Sequence, residues 1–457
     1  MISILDLAAS TGNAHVVRSI EIVLHYQSSM LPGLRKIVEA MRAVTAVWSW
    51  IRVLRFEFLQ KTVSINWSTD NNTDYAQDAA VASAALAGLF PRIDDLTFLD
   101  VDKHPAARLL YENLASCYTG QLQDLYTTLS FALPSGRSFS VMKTMVVESK
   151  YTHGHQIPLM DINEIECLRL IKWPVNQTWA ELCPNHEVSP VIVFPKLRVA
   201  HFQYSHLHME NGVVVHQPDG HPWTLSFPKL RMALIYCPSD ICPVLDYAVF
   251  PAEMDKIEFS GTPAMIRSIA EMKLPKLQRL VIGIQDDVGV DSDVYSTIKR
   301  IMANVQATRV RGLSINKDDV FITPEHVTGM DITSLAISSP TSITTMIALL
   351  KAVPGLQHLS IDNISLDGLP SDNLVPDPCD HLPVEPFDTR ITRLLYTFKS
   401  SQFPPDRMVA AIKYLLLRIP TLEKFYGGEA PRFEIRDFAL EYAPWYPHLA
   451  TIRLVFY

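Results

Sequence analysis

Three nearly identical segments fix most of what this chain can fold into. Residues 194–202 read FPKLRVAHF, residues 227–235 FPKLRMALI and residues 274–282 LPKLQRLVI; looser copies open with FPRI at Phe90, VPGL at Val353, IPTL at Ile419 and YPHL at Tyr446. Each copy sets an apolar residue, two free positions, an apolar residue, one free position and another apolar residue. On a strand, the period of two sends the last two apolar residues to one face, and the first turns inward where the strand begins. A unit of this kind cannot bury its apolar face alone, so successive copies must stack.

The same triplet runs along the chain, from Val17/Ile20/Ile22, Ile51/Leu54/Phe56, Ile93/Leu96/Phe98, Met142/Met145/Val147 and Ile165/Leu168/Leu170 through Leu197/Ala200/Phe202 and Leu230/Ala233/Ile235. It continues through Met254/Ile257/Phe259, Leu277/Leu280/Ile282, Val310/Leu313/Ile315, Ile332/Leu335/Ile337, Leu356/Leu359/Ile361 and Ile391/Leu394/Tyr396 to Leu422/Phe425/Gly427 and Leu449/Ile452/Leu454, and only Gly427 is not apolar. From Leu197 the copies start 33, 24, 23, 33, 22, 24, 35, 31 and 27 residues apart, a repeat spacing; upstream the gaps widen to as much as 49 residues, between Ile93 and Met142. The chain therefore divides into divergent repeats over 1–164 and more regular ones over 165–457, within one array over 1–457. Long loops interrupt it at 173–190, 203–224 and 365–386, and the last, with five prolines and five acidic residues, reads as a solvated excursion or a partner contact.

Apolar residues three and four apart predict helices over 34–48, 75–89, 105–125, 263–272, 292–305, 342–353 and 405–419. Thr262 can cap before Pro263, Ser292 can cap the next helix, and Pro105 suits a first helical turn. Parallel neighbours need a crossover between them. Strands alternating with helices at this period thus predict an α/β solenoid, a curved parallel sheet on the concave face of a horseshoe with helices on the convex face. The proline before a strand ends the preceding helix and sets the strand start without removing a ladder donor.

Composition is that of a folded chain, 48% hydrophobic and 19% charged, and a net charge of -8 spread along the sequence leaves no basic surface for nucleic acid. The first residues lack a secretory pattern and the longest apolar runs are too short to span a bilayer, so the expectation is a cytoplasmic or nuclear protein away from membranes. Sequons at Asn66, Asn71, Asn176 and Asn363 read as chance, and six irregular cysteines read as reduced thiols, mostly in the core.

Chemistry-bearing patterns are weak. His201, His206, His208, His216 and His221 cluster after Cys183 and His186, without a second pair at zinc-ligand spacing, so the expectation is no metal and no cofactor. Cys237 and Cys242 lack redox spacing, and Asp286, Asp287, Asp291 and Asp293 lack the glycine and closing glutamate of an EF-hand. Residues 8–17 hold a lone ankyrin-like fragment. No phosphate-cradling loop, GxSxG elbow or HExxH is present, so the expectation is a protein that is not an enzyme, with an enzyme whose site follows no known pattern as one alternative.

The apolar triplets and the FPKL, LPKL and VPGL openings resemble the leucine-rich-repeat superfamily, in particular the irregular arrays of F-box-type proteins of fungi and other eukaryotes. That resemblance implies a horseshoe that holds a protein or peptide and, for F-box members, presents it to a ubiquitin ligase. Two features depart from the pattern: the asparagine position of the repeat is Ser205, Pro238, Gln285, Pro340 or Ile364, and residues 31–50 carry an F-box flavour without the three-helix domain. A substrate-recognition subunit related to F-box receptors, with ubiquitin-ligase components as partners, is the second alternative. The leading expectation is a non-enzymatic interaction module that binds a protein or peptide on its concave face, lined by the free strand positions Arg198, Val199, His201, Arg231, Met232, Leu234, Tyr236 and Arg279, with Gln278, Val281, Gln357, His358, Arg393 and Arg453 further along. The strand near Tyr457 offers a pairing edge for a homodimer.

Overall fold

The computed structural model describes residues 18–25, 30–44, 48–59, 72–99, 105–127, 140–148, 163–173, 191–204, 224–238, 242, 244–245, 248–272, 276–285, 292–305, 307–315, 321–362, 364–365, 384–396, 405–427 and 432–456. The fold is α/β, with 16 strands hydrogen-bonded side by side, in chain order, in one open sheet. Every neighbouring pair whose register is defined runs parallel. The chain packs as two compact units, Met1–Ala233 with Cys242–Pro251, and Leu234–Ile241 with Ala252–Tyr457.

In the first unit the sheet strands are β1 (Ser19–His25), β2 (Val53–Leu59), β3 (Asp95–Leu99), β4 (Asp124–Thr127), β5 (Thr144–Glu148), β6 (Cys167–Trp173) and β8 (Val199–Tyr204). Helices α1 (Met30–Val44), α2 (Asn72–Leu89) and α3 (Pro105–Cys117) lie between the early strands. Parallel register aligns Leu54, Leu96, Leu125, Met145, Leu168 and Ala200 in one buried column. A second column holds Phe56, Phe98, Thr127, Val147, Leu170 and Phe202. Phe98 anchors it, its ring 4.8 Å from Phe56 and 4.8 Å from Tyr111 of α3. Three short strands late in the unit, β7 (Val191–Val193), β9 (Thr224–Ser226) and β11 (Ala248–Val249), form a separate parallel sheet.

Strand β4 corrects the expected helix over 105–125. The helix stops at Cys117, and Leu122, Leu125 and Thr127 supply a repeat inside the wide gap between Ile93 and Met142. A threonine in the third core position hides it from an apolar filter. Thr127 is nevertheless fully buried, in register with Phe98 of β3 and Val147 of β5.

Strand β10 (Met232–Cys237) contributes Met232 and Ala233 to the first unit and its remaining residues to the second. The other sheet strands of the second unit are β12 (Glu253–Gly261), β13 (Lys276–Ile284), β14 (Ala307–Ile315), β15 (Ser334–Ile337), β17 (His358–Ile361), β19 (Arg393–Tyr396), β20 (Lys424–Gly427) and β21 (Arg453–Phe456); β16 (Thr341–Ser342) and β18 (Ile364–Ser365) pair apart. Its helices are α4 (Pro263–Glu271), α5 (Ser292–Asn304), the short α6 (Pro324–Val327), α7 (Ile343–Ala352), α8 (Pro405–Arg418) and α9 (Arg432–Tyr442). The Thr262 hydroxyl caps α4 by accepting from Met265 N at 3.3 Å, as its sequence predicts, whereas Ser292 is already the first residue of α5.

Core columns here run Ile282–Leu313–Leu335–Leu359–Leu394–Phe425–Leu454 and, on either side of β19, Ile284–Ile315–Ile337–Ile361 and Gly427–Phe456. The register differs from the sequence triplets in two places. Leu280 pairs with Arg311, not Leu313, and Phe425 pairs with Leu454, not Ile452. Both are slips of two residues, which a period-two pattern cannot detect because every side chain keeps its face. Val310, read from sequence as a first core residue, pairs with Arg279 and is only half-buried. Gly427 breaks the apolar rule because its place is taken: a Cβ there would stand 2.9 Å from the Phe456 ring and 3.1 Å from Phe425.

The repeated proline has a sharper role than setting the strand start. In FPKL, VPGL and IPTL the leucine N–H donates three residues back, Leu197 to Phe194 O at 3.4 Å, Leu230 to Phe227 O at 3.2 Å, Leu356 to Val353 O at 3.1 Å and Leu422 to Ile419 O at 3.2 Å. These are β-turns with proline at the second position, where its fixed φ fits and no N–H is missed. One residue past the leucine, a carbonyl accepts two successive N–H groups of the next repeat: Arg198 O from Arg231 and Met232 at 2.8 and 2.9 Å, Gln357 O from Thr392 and Arg393 at 2.9 and 3.1 Å. This shared acceptor ties each repeat to the next at the point where its strand begins.

Candidate binding faces of the two units

Alternation of buried and half-buried residues, as in β8 and β10, gives each strand a core side and an open side. In the first unit the open side shows Glu21, Arg55, Thr97, Tyr126, Val146, Arg169 and His201 in one row. Its charges are largely neutralised in place: Glu21 pairs with Arg55 at 3.0 Å, and Glu148 receives Lys172 at 2.7 Å and the Tyr126 hydroxyl at 2.9 Å. One row below, Asp95 and Asp124 sit in register; burial first, then the charges of Asp124 and Asp94, raises the Asp95 carboxyl above its ordinary range.

The residues nominated from sequence divide among strands and turns. Val199 and His201 are half-buried on β8, and Met232 on β10, all on the open side; Arg198 and Arg231 are exposed in the turns leading into those strands. In the second unit Leu234 and Tyr236 are half-buried on β10, and Arg279 is exposed on β13. The loop histidines His206, His208, His216 and His221, with Cys183, His186, Asp286, Asp287 and Asp291, lie outside the described residues, as do the asparagines of the four sequons, the ankyrin-like fragment, most of the three long loops and Cys379. Among the described residues no group of three or more His, Cys, Asp or Glu could hold a metal. Of the described cysteines, Cys237 and Cys242 are buried, but Cys167 is only half-buried and Cys117 is exposed, at variance with a mostly buried set.

The second unit carries a row that the sequence shows only in part. Register places Val281, Gly312, Ser334, His358, Arg393, Lys424 and Arg453 side by side on the open face of β13, β14, β15, β17, β19, β20 and β21. The next row up is Gly283, Ser314, Ala336, Ser360, Leu395, Tyr426 and Val455. Small residues on β14 and β15 thus give way to four successive cationic or ionisable positions beside a half-buried Leu395–Tyr426–Val455 shelf. Sequence reasoning missed Lys424. The signal was its place two residues after Leu422, matching His358 after Leu356 and Arg393 after Ile391.

Burial first, then the Arg393 and Arg279 charges, holds the His358 imidazole below its ordinary value of 6.5. A histidine depressed on folding binds its proton more readily in the unfolded chain, so its contribution to stability is complete above pH 6.5 and is lost as pH falls through the lower folded value. His358→Gln should therefore flatten the loss of melting temperature between pH 7 and pH 5. Equal pH slopes for the variant and the parent protein would remove His358 from this account.

No protein-family model matches the chain, and no curated protein is significantly similar to it in sequence. No helix among the described residues is long and apolar enough to cross a membrane.

Proposed function

We propose that the chain is a leucine-rich-repeat-type solenoid acting as a non-enzymatic module that holds a protein or peptide on the open face of its sheet. The observation that carries this reading is the one-sided burial of the strands. Core columns fill one side, where Tyr111 of α3 meets Phe98, while the other side keeps half-exposed arginine, tyrosine, methionine and aliphatic side chains, the types that interface centres use. The recurring strand, proline turn and shared carbonyl support the solenoid part of the proposal.

A photo-cross-linking amino acid tests it. Placed at His201 in the first unit and, separately, at Ser360 in the second, it should give discrete adducts with the same protein from cell extract. Placed at Arg300 on the exposed side of α5, it should not. Equal adducts from the helix position and the sheet positions would overturn the assignment of the face.

A further inference from the structure

Four neighbouring strands, β17, β19, β20 and β21, put His358, Arg393, Lys424 and Arg453 directly opposite one another. Parallel strands lie about 4.8 Å apart, so the row extends roughly 14 Å across the sheet. Like charges at directly opposed positions disfavour the fold. The first unit answers its charges with local partners, but among the described residues Arg393, Lys424 and Arg453 have no ion pair. The two rows from β14 to β21 contain no carboxylate at all. Among the described residues, acidic groups near these rows lie beyond the strand ends, as at Asp331 before β15, Glu423 before β20 and Asp362 after β17, where Ser338 donates to Asp362 at 2.8 Å.

We infer that this row is the docking site for an acidic, partly apolar peptide segment of a partner protein, lying across β17, β19, β20 and β21. The inference rests on the reading of the open face as a binding surface and names the partner's chemistry. Complementary charge supplies one half of the argument: carboxylates would relieve a repulsion that the folded chain leaves in place. The Leu395–Tyr426–Val455 shelf supplies the other, since it gives apolar side chains of the same segment a half-buried surface on the same face, two residues along each strand from the cations. An extended segment advances about 3.3 Å per residue, so four or five residues cover the row. A nucleic acid would also answer the cations, but the chain's net charge of -8 opposes approach of a polyanion, whereas a short acidic peptide carries its charge locally.

The test is fluorescence anisotropy of the full chain with three labelled probes: a Glu-Leu repeat peptide, a Lys-Leu repeat peptide and a single-stranded oligothymidylate. The Glu-Leu peptide should bind best, more weakly as salt rises, and the Arg393→Ala/Lys424→Ala/Arg453→Ala variant should lose about tenfold or more in affinity. Arg393→Glu/Lys424→Glu should exchange the preference for that of the Lys-Leu peptide, a result that mere loss of folding cannot produce. Circular dichroism checks both variants, and Lys424→Gln alone serves if either fails to fold. Undiminished binding by the variants, or tighter binding of oligothymidylate than of the Glu-Leu peptide, overturns the proposal. If the Glu-Leu peptide does not bind while the His201 and Ser360 adducts persist, the acidic partner fails and the binding face stands; loss of those adducts removes the face itself.

Discussion

Replacing Phe98 by alanine should cost about 3–5 kcal/mol, the largest single effect expected in the first unit. Phe98 is completely buried in the middle of its column, and its ring touches both the neighbouring strand through Phe56 and the covering helix through Tyr111. Truncation removes transfer energy, opens a cavity that surrounding strands can fill only in part, and discards two aromatic contacts worth about 0.5–1.5 kcal/mol each, part of which the total already contains. Urea unfolding gives the magnitude. Hydrogen exchange gives the location: β2, β3 and β4 should lose protection, while β15 and β17, in the second unit, keep theirs. Uniform loss over the whole chain would contradict the expectation that stability in a stacked array is built from nearest-neighbour contacts.

Gly427→Val should destabilise β20 and β21 by about 1–3 kcal/mol, although it restores the apolar residue that the repeat asks for. The new side chain would collide with the Phe456 ring, which already fills that position from the next strand. A double substitution decides between this account and a general intolerance of bulk. Gly427→Val/Phe456→Ala should be less destabilised than the sum of the two single changes; strict additivity would show that the two side chains do not share the space.

The strands and helices were legible in the sequence because burial and periodicity carry the same information. Leu197, Ala200 and Phe202 alternate with half-buried residues because the core fills one side of β8, and α4 begins at Pro263 because Thr262 supplies an acceptor to Met265. Three things were not legible. Thr127 reads as polar yet lies fully buried in the core column between Phe98 and Val147, which conceals β4. The two-residue slips at β13/β14 and β20/β21 leave the alternation of each strand intact, so only backbone pairing reveals them. The cationic row is scattered over nearly a hundred residues of sequence, from His358 to Arg453, and becomes a row only through register. Arg393, Arg453 and His358 stand out in the sequence only singly and Lys424 does not stand out, because nothing in a single strand distinguishes a lone exposed cation from one of four.

Those slips also bear on how a chain of this kind can change length. A strand that grows or shrinks by two residues keeps every inward side chain inward, so such changes at the end of a strand are nearly invisible to selection on the core. A change of one residue inverts the whole strand unless a turn absorbs it, and the turns here are held to a fixed length by proline and by the carbonyl shared between repeats. Length variation in this protein is therefore expected in even steps within strands and in any step within the segments that connect them. The repeat spacing varies from 22 to 35 residues downstream of Leu197, yet the strands stay hydrogen-bonded in chain order.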